Sequence, residues 1–105
     1  MSAGLAMGNV IGIAVLQVTV DLPSVAANTT GVASVSVPGV RPGDFVFVNK
    51  PSHEAGLGVV NARVSANDTV EITAMNTTAG AVDEVSETYV LLVVRPETLT
   101  TGLVM

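Results

Sequence analysis

A chain of 105 residues with a net charge of −5 and no cysteine is long enough for one core and too short for two. Nine acidic residues against four basic ones exclude a surface of clustered cations, so neither nucleic acid nor an anionic membrane is an expected partner. Only 12% of the residues are charged, about half the usual share, while 49% are apolar and valine alone fills 21 positions. Exposed positions must then be filled by Thr, Ser, Asn, Gly and Ala. Such a surface suits burial against a neighbour, and it predicts a homo-oligomer rather than a neutral-surfaced monomer.

Residues 1–12 open the chain as an expected flexible arm. No Lys or Arg precedes Arg41, so the cationic start of a secretory leader is missing. The apolar run is broken by Gly4, Gly8, Asn9 and Gly12, and it is too short for a membrane span, which needs roughly 20 apolar residues. Leu5, Met7, Val10 and Ile11 offer apolar anchors along this arm, and they are the candidate contacts to a neighbouring subunit. A plain alternative is that the segment completes the subunit's own first strand. Residues 13–95 form the expected folded domain, and residues 96–105 a tail.

Within the domain, side chains alternate with the period of two that marks half-buried strands. In 13–22, Ala14, Leu16, Val18, Val20 and Leu22 share one face against Gln17, Thr19 and Asp21. In 32–37, Ala33, Val35 and Val37 oppose Ser34 and Ser36. A corner built from Pro38, Gly39, Pro42 and Gly43 leads into "DFVFV", apolar on both faces and therefore expected in the centre of a sheet. "GVVNARVS" sets Val60, Ala62 and Val64 against Asn61, Arg63 and Ser65, and "TVEITAM" sets Val70, Ile72 and Ala74 against Thr69, Glu71 and Thr73. The short "SANDT" between them predicts a hairpin. In "NTTAGAVDEVSE", Val82 and Val85 have the spacing of a single helical turn, and "TYVLLVVR" closes the domain as a central strand.

No sustained helical period occurs, so the fold class is all-β: a compact sandwich or barrel of roughly seven to nine short strands. Its expected core includes Val18, Val20, Val35, Phe45, Val46, Val48, Val60, Val64, Ile72, Leu92 and Val94.

Reactive chemistry is sparse. His53, the single histidine, lies in a polar loop between Ser52 and Glu54, where neighbours on extended backbone point apart and form no relay. Asp21, Asp44, Asp68 and Asp83 lack the spacing of a calcium loop; Asp44 and Asp68 are expected to accept backbone hydrogen bonds at turns. "GLG" at 56–58 has no Lys-Ser/Thr after it and no helix, so it is not a phosphate loop. No catalytic, cofactor or metal residue is assigned.

"VPGVRPGDFVFV", "ARVSANDTVEITAMNTTAGAVD" and "TYVLLVV" together resemble a pattern in small structural proteins of tailed bacteriophages, above all the head decoration (cement) proteins. The resemblance spans about residues 24 to 95 and rests on turn and strand motifs. It implies a jelly-roll-like β module, a homotrimer bound to the major capsid protein on the outside of an icosahedral head, made in the bacterial host cytoplasm and carried in the virion. It brings no catalytic residue. Fibre and baseplate modules share the pattern and are the alternative. Small size and an aromatic content of 3% weigh against them, since sugar-binding faces rely on exposed aromatic rings.

Overall fold

The computed structural model describes residues 8–103, and among them there are six strands and no helix. The strands are β1 (Val10–Val20), β2 (Thr29–Ser36), β3 (Phe45–Asn49), β4 (Leu57–Ala66), β5 (Thr69–Asn76) and β6 (Glu87–Pro96). They form two antiparallel sheets, ordered β1–β6–β3 and β2–β5–β4. The six apolar runs read from the sequence correspond to these six strands, fewer than the seven to nine expected. The 77–86 connection contributes no helical turn either: Val82 forms a lone bridge with Val25, and Val85 is 80% exposed.

One core lies between the inner faces of the two sheets. Val20, Tyr89, Leu91 and Val93 come from the first sheet, and Ala33, Val64, Val70, Ile72 and Ala74 from the second. Leu16, Val18, Val35, Val46, Val48, Val59 and Ala62 pack around them, part-buried. β6 is central in its sheet, as its sequence implied, because it pairs with β1 on one side and β3 on the other.

The turn from β2 to β3 is a pair of Pro-Gly corners. Pro38 and Pro42 fix φ at the second turn position, and Gly39 (φ 97°) and Gly43 (φ 100°) supply the left-handed third position of a type II turn. Val40 N–H donates to Val37 O at 3.4 Å, and Asp44 N–H donates to Arg41 O at 3.0 Å. Both turn aspartates act as anticipated: Asp44 accepts from Arg41 N–H at 3.0 Å and Asp68 from Gly39 N–H at 2.7 Å. The β4–β5 hairpin closes through Asn67 and Asp68, with Asp68 at φ 62° and a register shift after Val64.

Three expectations about burial need correction. Phe45 and Phe47 are 55% and 57% exposed, because β3 is an edge strand and both rings point away from the core. Val60 is 52% exposed: the register shift between Val59 and Asn61 makes it the extra residue of a bulge, which turns it outward and leaves Val59 inside. Leu92 and Val94 are only part-buried and lie outside the core, since Tyr89, Leu91 and Val93 take the inward positions of β6.

Candidate assembly interface

The corrections at Phe45, Phe47, Leu92 and Val94 share one cause, the outward face of the β1–β6–β3 sheet. Antiparallel register places Ile13, Val94 and Phe45 in one row across the three strands, and Val15, Leu92 and Phe47 in the next. The third row is Gln17, Val90 and Asn49, and beyond it Thr19 faces Thr88. The face thus grades from two wholly apolar rows to polar ones, and no strand position pointing outward from it carries a charge. Ile13 is 58% exposed and Val15 70% exposed, so this is open surface rather than a second core.

The outward face of the other sheet has a different character. Its rows read Val32–Thr73–Asn61 and Ser34–Glu71–Arg63, and Arg63 Nη2 donates to Glu71 Oε1 at 2.9 Å. Val32, Val60 and Met75 are exposed on this side too, but the ion pair and the Ser, Thr and Asn positions make it a mixed, solvated face. The asymmetry is therefore a property of one sheet, set by which residues occupy alternate positions.

Charged groups gather at the ends of the sandwich instead. Lys50 Nζ donates to Glu84 Oε2 at 2.8 Å and to Glu87 Oε1 at 3.0 Å, and Ser52 Oγ donates to Glu87 Oε2 at 2.6 Å. Burial pulls the Lys50 pKa down, but its bonds to Glu84 and Glu87 outweigh this and raise it. The Ser52 hydroxyl, then Lys50, holds Glu87 below the usual carboxylate range. Burial raises the Tyr89 phenol. The cluster ties the 50–56 loop to the start of β6, with Lys50 shared between the two carboxylates and Glu84 Oε1 buried without a hydrogen-bond partner. His53 stays exposed in that loop. Among the described residues, no group of three or more His, Cys, Asp or Glu is placed to hold a metal.

Of the four candidate contact residues, only Val10 and Ile11 fall among the described residues. Leu5 and Met7 lie outside the described residues. Val10 begins β1 and pairs with Pro96, and Ile11 is the extra residue at the register shift before Gly12, 55% exposed beside the apolar rows. Residues 10–12 thus belong to the first strand and not to an arm. Sequence reasoning missed Ile13, Val15, Phe45, Phe47, Leu92 and Val94 as surface. The signal was there: "DFVFV" and "TYVLLVV" are apolar on both faces, and in a sandwich of three-stranded sheets a strand has only one face on the core.

Comparison with known proteins returned no matching family model, no matching curated protein and no matching solved structure.

Proposed function

We propose that the chain is a non-catalytic structural module of a virion, a decoration protein that binds the outside of an icosahedral phage head and stabilises it. The reading rests on the motif resemblance, and the uncharged apolar sheet face is the observation that supports it best. Such a face is costly in free solution and suits a subunit that spends its life packed against protein. Jelly-roll-like topology, trimeric state and contact with the major capsid protein belong to this proposal, as does a role for Leu5, Met7, Val10 and Ile11 in gripping a neighbour.

A fibre or baseplate module is the second reading. Exposed Phe45 and Phe47 favour it, because they restore the aromatic surface that composition alone discounted. Quantitative mass spectrometry of purified virions separates the two. Hundreds of copies per particle support decoration, a handful supports the fibre or baseplate, and absence from particles overturns both. Deleting residues 2–7, which leaves β1 whole, tests the arm: retained decoration would remove Leu5 and Met7 from the contact.

A further inference from the structure

The apolar face is large enough to ask what covers it. Ile11, Ile13, Val15, Phe45, Phe47 and Val90 are each 39–70% exposed. Taking about 150–200 Å² for a large apolar side chain, they present on the order of 600 Å². That is at the upper end of what a lone monomer shows, roughly 300–600 Å². Two such faces in contact remove about 1,200 Å² from these side chains alone, the lower bound of a specific interface. Part-buried Leu92 and Val94 and the polar row of Gln17 and Asn49 add to it.

The chemistry of the face narrows the occupant. It offers no charge for an oppositely charged partner to recognise. It is a pleated surface with whole rows of branched and aromatic side chains, the kind that packs against another sheet at about 10 Å. The outward side of β2–β5–β4 sets the Arg63–Glu71 pair among exposed Val32, Val60 and Met75, so of the two sheet faces the uncharged one is best matched by itself.

We propose that the outward face of β1–β6–β3 packs against the same face of another copy of this chain. The inference rests on the assembly reading above and names the partner of that surface. Because each copy uses the one face once, the association closes as a two-fold pair and builds no filament, so a trimer would have to form through another surface. The rim of Gln17, Asn49, Thr19 and Thr88 supplies polar groups where the interface meets water.

Sedimentation equilibrium of the full chain at micromolar concentration tests this. The expected result is a dimer, twice 10.6 kDa. Val15→Lys and Phe47→Glu, both at exposed positions, should keep the far-UV circular dichroism of the parent and sediment as monomers. Ser34→Glu on the other sheet should leave the dimer unchanged. Phe47→Trp provides a readout that needs no disruptive change, since its emission should shift to the blue as concentration brings copies together. A parent that sediments at 10.6 kDa overturns the inference, as does an oligomer that survives both face variants or a tryptophan whose emission ignores concentration. A monomer found in hundreds of copies on virions would sink this inference and spare the decoration reading. An oligomer absent from virions would do the reverse.

Discussion

Arg95 donates to both carboxylate oxygens of Asp44, from Nε to Oδ1 at 2.9 Å and from Nη2 to Oδ2 at 2.7 Å. The same Nη2 reaches Gly39 O at 2.7 Å, so one guanidinium joins the end of β6 to both Pro-Gly corners. Asp44 is almost wholly buried, its side chain 3% exposed, whereas Arg95 keeps 29% of its side chain in solvent. The pair therefore acts as a geometric lock on the corner more than as a surface ion pair.

Asp44→Asn keeps the shape and removes the charge that Arg95 answers. Loss of charge-assisted hydrogen bonds of this kind is expected to lower stability by about 1–3 kcal/mol in urea unfolding. An unchanged midpoint would show that the corner holds without its carboxylate.

The pH profile of stability should have two shoulders. Asp44 is held below its ordinary value of 3.8, chiefly by the Arg95 hydrogen bond, and Glu87 below 4.5, chiefly by Ser52. A depressed folded pKa contributes stability above the unfolded value and loses it as pH falls through the folded one, so thermal stability should decline progressively as pH falls below about 5. Lys50 and Tyr89 are raised from 10.5 and 10.0, so their contribution is complete below those values and fades at higher pH. A melting temperature that changes steeply between pH 6 and 9 would contradict this set of assignments.

Asn76 is fully buried, and its amide is used at both ends. Nδ2 donates to Val25 O at 2.9 Å, Ala26 O at 3.3 Å and Gly80 O at 2.8 Å, while Oδ1 accepts from Thr78 N–H at 2.9 Å and Thr78 Oγ1 at 2.7 Å. Asn76→Asp replaces a donor among carbonyls by an acceptor. The expected cost is about 3 kcal/mol or more in chemical denaturation, with Asn76→Ala milder. Equal losses for the two variants would show that polarity at this site is not decisive.

Core truncations should separate inner from outer positions. Ile72→Ala and Leu91→Ala, at side chains with no exposure, are expected to cost about 2–5 kcal/mol. Phe45→Ala, measured on dissociated subunits, should cost about 1 kcal/mol or less. A large loss at Phe45 under those conditions would place the ring inside the subunit after all.

The second sheet was legible almost residue by residue, because Val70, Ile72 and Ala74 alternate cleanly with Thr69, Glu71 and Thr73. Alternation assigns inside and outside only when the two sides differ in polarity. Phe45-Val46-Phe47-Val48 does not differ, so its pattern was read as a strand covered on both sides when its cover lies on one. Val60 failed for another reason. A bulge shifts parity by one, and nothing local in "GVVNARVS" says where the extra residue falls. Beyond that, the ion pair of Arg95 with Asp44 spans 51 residues, a distance over which sequence pattern carries no information.

The pairing of β1 with β6 also sets an order of events during synthesis. β2, β4 and β5 lie within residues 29–76 and can associate as soon as that stretch has been made. Among the described residues β1 has no sheet neighbour other than β6, so Ile13, Val15 and the rest of that strand wait for it while more than sixty residues are added. Closure between such distant segments is slow, since the loop must be ordered before the contact rewards it. The nascent chain therefore carries an uncharged apolar strand in search of a partner through most of its production. Many copies made close together on one message would be exposed to mispairing through β1 until each β6 arrives.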